Sequence, residues 1–107
     1  MAEIKVDHYL KIKQSSPDFI AAVEGLGKAI KKCGPLDEKT VQLVQLAGAA
    51  AIRSEGAVHS HARRALEAGA GAEEIRQSLI VLTSTIGFPA VMAALSWIDE
   101  VLGGDRE

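Results

Sequence analysis

Apolar residues recur three and four positions apart in five stretches of the chain, the spacing of a helix face, and no stretch alternates strictly as a half-buried strand does. The first helix starts at Ser16-Pro17-Asp18. Serine can cap, proline fits the first helical position and aspartate suits the positive end of the dipole. Phe19, Ala22, Val23, Leu26 and Ile30 follow on one face, and Gly34-Pro35 stops it. Gly25 and Gly27 weaken this helix or admit a close neighbour. The second helix is capped by Asp37, and residues 43–52, LVQLAGAAAI, are apolar nearly all round. A surface helix would show a polar face, so this one is expected to be covered on most sides by its own domain or by another subunit, with Gly48 among alanines permitting close approach. The third runs from near Glu55 to Ala68 and stops at Gly69. The fourth spans residues 72–86 on the stripe Ile75, Leu79, Leu82 and Ile86, with Ile80 and Val81 as extra apolar surface and Gly87 as its end. The fifth begins at Pro89, carries Val91, Leu95, Ile98 and Leu102, and ends at Gly103-Gly104 before a loose tail at 105–107. Ahead of them, Ile4, Tyr9, Leu10 and Ile12 stand among lysines as a short docking helix. The expected fold is all-α: a single domain over 1–107, with an N-terminal arm at 1–14 and a core of about five helices at 15–103.

The third helix holds two of the three histidines. One of its faces is Ser54, Ala57, His61, Ala65 and Ala68, small and apolar apart from one serine and one imidazole. Another is Glu55, His59 and Arg63, charged and expected to be solvated. His61 therefore reads either as a proton carrier in a pocket between helices or as a packed histidine whose nitrogens are satisfied by neighbours. Gln42 and Gln45 interrupt the apolar second helix on adjacent turns. Buried amides need partners, so each is either bonded structurally or faces a polar pocket.

Composition narrows the chemistry. Of 107 residues, 48% are hydrophobic and 24% charged, as in globular chains, and the net charge is −2. No basic block exists and the aromatics are only Tyr9, Phe19, Phe88 and Trp97, which argues against a nucleic-acid surface. No apolar run reaches transmembrane length and the N-terminus lacks the apolar core of a signal peptide, so a soluble cytoplasmic protein is expected, with no membrane partner. Cys33 is the only cysteine, which excludes an intrachain disulfide, a C-x-x-C pair and a thiolate metal cluster within one chain. It sits at a helix C-terminus, where the dipole opposes a thiolate. His59 and His61 are two apart and cannot chelate one ion together on a helix. Glu55 and His59, four apart, could share one only with ligands from elsewhere, so no metal is expected. There is no glycine-rich phosphate loop. Acid–base chemistry remains: His61 with Glu55 or His59 as catalytic partners, Gln42, Gln45 and Ser54 as substrate contacts, and Arg53, Arg63, Arg64 or Arg76 for an anionic ligand. No cofactor is required.

LDEKTVQLVQLAGAAA, then His61-x-x-x-Ala65-Leu66-x-x-Gly69-Ala70, then Ala72-Glu73-Glu74-Ile75, resembles the carboxymuconolactone decarboxylase family, within the alkylhydroperoxidase D-like superfamily. Gly87-Phe88-Pro89-Ala90 is similar to the G-x-P segment of the decarboxylase branch. The resemblance implies an alkylhydroperoxidase D-like helical bundle that self-assembles as a trimer or hexamer. The redox branch carries C-x-x-C-x-x-x-H with a glutamate on the preceding helix. Here His61 matches the histidine, Ser54 and Ala57 fall at the cysteines and Gln42 at the glutamate. Peroxidase or peroxiredoxin activity would thus be a family label only. The decarboxylase branch does without the cysteines, and resemblance to it implies proton transfer on a small carboxylated lactone with His61 as shuttle. The alternative is a non-catalytic oligomer that binds a ligand or partner.

Overall fold

The computed structural model of the chain describes residues 2–103, with side chains from residue 7 onward. The described residues form helices α1 (Ala2–Ser15), α2 (Pro17–Lys31), α3 (Glu38–Ala51), α4 (Glu55–Glu67), α5 (Ala72–Ile80), α6 (Thr83–Ile86) and α7 (Phe88–Val101), and no strand. They divide into two compact units, Met1–Leu36 and Asp37–Glu107. The boundary expected between arm and core, at 14/15, falls inside the first unit.

In the first unit the expected arm is a full helix that packs on α2. The Tyr9 hydroxyl donates to the Glu24 carboxylate, and Lys13 Nζ stands 3.4 Å from the same group. The Tyr9 hydrogen bond, more than the nearby lysines, holds Glu24 below the usual carboxylate range. Pro17 opens α2 as its fixed φ favours, but Ser16 makes no side-chain cap, because its ψ of 66° falls short of the extended value that aims a hydroxyl into the first turn. The expected core stripe of α2 is exposed: Phe19 is 60% and Leu26 61% exposed, Val23 and Ile30 are exposed too, and Ile20 is the buried residue. Nothing stands within contact distance of Gly25 or Gly27.

In the second unit α4 packs between α3 and α7, while α5 packs on both α3 and α7. Leu46, Val58, Ile75, Leu79 and Ile98 are fully enclosed, and Ala49, Ala50, Ala62, Ala65 and Ala94 complete the core. Each buried leucine or isoleucine contributes about 1.5–3 kcal/mol relative to exposure. The alanines let α3, α4 and α7 approach closely. α3 is covered on one side only: Val44 is exposed, Ile52 is 75% exposed, and nothing stands within contact distance of Gly48. The fourth expected helix breaks at Val81-Leu82. There the Thr83 hydroxyl donates to the Ile80 carbonyl at 2.7 Å, a local bond that competes with the helical ladder. Gly87, at φ 95°, turns the chain into α7. Gly104 and the tail at 105–107 lie outside the described residues.

The joint between α3 and α4 is short and fully bonded. Ser54 N–H donates to the Ala49 carbonyl and Arg53 N–H to that of Ala50, each at 3.0 Å, which closes α3 as a Schellman motif. The same motif closes α4, where Ala70 N–H reaches Ala65 at 2.9 Å and Gly69 N–H reaches Leu66 at 3.0 Å. The left-handed residue is Gly69 (φ 102°) in one case and Arg53 (φ 57°) in the other. Ser54 then opens α4, its Oγ accepting from Ala57 N–H at 3.3 Å.

Candidate functional site

Val58, Ala62 and Ala65 form the inner line of α4. At about 100° per residue, His61 lies on one flank of that line and His59 on the other. With α3 and α7 both packed on α4, each flank meets a different helix.

On the α3 flank, His61 is half-buried and its Nδ1 stands 2.9 Å from Oε1 of Gln42, which is fully buried. Gln42 Nε2 donates to Glu38 Oε2 at 3.3 Å, one turn earlier on α3. A carboxylate only accepts, so it selects the amide nitrogen; the amide oxygen then faces His61 and can only accept. Nδ1 must therefore carry the proton, and in the neutral ring the basic lone pair is on Nε2. The histidine is oriented and its tautomer set by a chain of three groups.

On the α7 flank, His59 is buried, 1% exposed, and not solvated as its charged row suggests. A helix packed on two sides buries an arc wider than one stripe. Its Nε2 stands 2.8 Å from Glu100 Oε1 of α7 and 4.0 Å from Glu55 Oε2. These are ion-pair distances for a protonated ring, yet neither ring nitrogen has an aligned hydrogen-bond partner among the described residues.

The residues expected at one site thus fall into two groups. His61 joins Gln42, with Glu38 behind it; Glu55 and His59 join Glu100. Ser54 is engaged as the cap of α4. The Gln45 Oε1 atom is buried without a hydrogen-bond partner among the described residues, and so is Nη2 of Arg76; Arg53 and Arg64 are exposed. A hollow of about 260 Å³ beside α3 and α5 is lined by Leu43, Glu74, Gln77, Ser78 and Val81, none of them in either group. Cys33 is exposed, its thiol donating to the Ala29 carbonyl. Glu38 and Glu100 were not marked by the sequence pattern. Glu38 could have been found, four residues before Gln42 on the same helix; nothing local ties Glu100 to His59.

The model of the carboxymuconolactone decarboxylase family matches residues 17–100. The chain belongs to the carboxymuconolactone decarboxylase family. An uncharacterized protein of Methanocaldococcus jannaschii is 36% identical over 92 residues, 86% of each chain. A family protein from Legionella pneumophila, solved as an apo form, superposes with a TM-score of 0.84 at 23% identity, over 98% of this chain and 94% of that one. Another, from Thermotoga maritima, gives 0.70 at 23% identity, over 94% and 88%. Both likenesses are of fold. The carboxymuconolactone decarboxylase match takes in all three helices that carry the two groups. Among the described residues, no helix is long and apolar enough to cross a membrane.

Proposed function

We propose that this carboxymuconolactone decarboxylase family member performs cofactor-free acid–base chemistry on a small carboxylated substrate, with His61 as the proton shuttle. The observation that supports this is the 2.9 Å contact of His61 Nδ1 with the buried Gln42 amide. Loss of carbon dioxide from a carboxylate leaves its electron pair on carbon, as a carbanion or enolate, and one proton completes the product. A neutral imidazole with its lone pair at Nε2 takes up a proton from solvent water and, once charged, delivers it to that carbon. Gln42 accepts from Nδ1–H in both states, so the ring does not turn during the transfer. Glu38 holds the amide in place and is a positioning residue.

The test is turnover and thermal melting with carboxylated lactones. In His61→Ala, turnover is expected to fall about 10²–10⁴-fold, with a loss of stability no larger than the roughly 1–3 kcal/mol of leaving the Gln42 oxygen without its partner. Unchanged turnover in that variant, or no turnover and no ligand-induced shift in the wild type, overturns the assignment. A homo-oligomer, trimer or hexamer, is proposed with it. Phe19, Val23, Leu26 and Ile30 on α2 and Val44 and Ile52 on α3 support this, as apolar side chains left exposed by the chain's own folding.

A further inference from the structure

We infer that Glu55, His59 and Glu100 form a binding site for a first-row divalent transition-metal ion, separate from the His61–Gln42 pair. Each residue offers one donor atom, and the three donors lie within 4.8 Å of one another. Donors bonded at about 2.1 Å to one ion stand roughly 3.0 Å apart at a right angle and 3.4 Å apart at the tetrahedral angle. The His59–Glu100 separation of 2.8 Å is already near that range, and the His59–Glu55 separation of 4.0 Å closes with a small turn of the half-buried Glu55 side chain.

The second observation is His59 itself. A buried imidazole whose two nitrogens both lack an aligned hydrogen bond bears a desolvation cost that the misaligned carboxylates beside it offset only in part. Its Nε2 nevertheless faces two carboxylate oxygens, off the direction a ring N–H would need. A metal ion between the three groups gives that nitrogen a bonding partner and separates two like-charged carboxylates. It also offsets the cost of Glu100 at the last turn of α7, where the helix dipole is negative.

The donor set narrows the class of ion. One imidazole nitrogen with two carboxylate oxygens suits zinc, iron, cobalt, nickel or manganese and disfavours calcium and magnesium, which take oxygen ligands. Glu100 is half exposed, so the remaining coordination positions are open to water or to a small ligand. Helix geometry supplies the frame: Glu55 and His59 are one turn apart on α4, and α7 brings Glu100 across.

The test is a titration of the full-length protein with Co²⁺, read by its visible d–d absorption and by equilibrium dialysis. Wild type, Glu100→Gln, His59→Gln and the double control His8→Ala/Cys33→Ser are compared. One ion per chain is expected in wild type and in the control, with affinity lower by roughly tenfold or more in Glu100→Gln. Zn²⁺ should raise the melting temperature of wild type and not of Glu100→Gln, since an ion bound only to the native state stabilises it. Glu100 is at the surface, so this variant folds even where a His59 variant does not. The absence of saturable binding, binding indifferent to Glu100→Gln, or binding lost in the control overturns the proposal. The last result would assign the ion to His8 or Cys33.

Discussion

At Gln42 the amide has two different neighbours, a carboxylate on one side and an imidazole on the other, and that asymmetry orders the proton positions. Gln42→Leu is expected to leave His61 Nδ1–H without its acceptor, to destabilise the fold by about 1–3 kcal/mol and to mix the two ring tautomers, visible in the imidazole nitrogen shifts by NMR. A single Nδ1–H tautomer surviving in that variant would show that Gln42 does not set it. Arg53 is a second residue with a defined consequence. A side chain in the left-handed region costs roughly 1–2 kcal/mol, and glycine removes that cost while losing about 0.5–1 kcal/mol of chain entropy. Arg53→Gly is therefore expected to stabilise the protein by up to about 1.5 kcal/mol in urea unfolding, whereas Gly69→Ala, in the matching place after α4, should destabilise it.

Among the elements, helix starts are tied to ionised groups. Asp37 accepts from Thr40 N–H at 2.8 Å at the start of α3, and Glu74 accepts from Gly71 N–H at 2.9 Å at the start of α5. The Thr40 hydrogen bonds hold Asp37 below its ordinary 3.8, and the Gly71 N–H, then Lys39, hold Glu74 below its ordinary 4.5. A depressed carboxyl stabilises the fold fully above its unfolded value, and the effect is lost as pH falls through the folded value. Melting temperature should accordingly drop below about pH 4.5, and Asp37→Asn, which still caps, should flatten part of that drop. An identical acid slope in Asp37→Asn would show that the cap carries no charge effect. Several starts and stops were legible in the sequence because they are local: Asp37, Gly69 and Gly87 act on their own turns, whereas Ser16 does not cap and the break at Val81-Leu82 was not read. Burial was not. The α2 stripe from Phe19 to Ile30 is exposed and His59 is buried, since which face is covered depends on a helix elsewhere in the chain.

For the whole molecule, the exposed apolar side chains carry an expectation about association. Light scattering should give a stable oligomer at micromolar concentration, and Leu26→Lys should weaken it; a wild-type monomer would refute self-association. Sulfur chemistry carries another. With Cys33 the only cysteine, a dithiol-recycled peroxidase assay should show no turnover, and turnover that persists in Cys33→Ser would refute this. The all-α class and the family were legible because helical periodicity and motif order run through the chain. The pairing of His61 with Gln42 was half legible, from a buried amide that needed a partner. The partner of His59 was not, because Glu100 reaches it only after α7 has docked.

The bonded joint at Arg53 and Ser54 also sets an order in time. It ties α3 to α4 through contacts short in sequence, and chains close short loops before long ones. The helical hairpin that holds Gln42 against His61 can therefore form while α7 is still undocked, and the carboxylate cluster around His59 must wait for it. Pulsed hydrogen exchange during refolding should protect amides of α3 and α4 ahead of those of α7. The His61–Gln42 pair would then be among the earliest structures the chain makes, and the His59–Glu100 contact among the last.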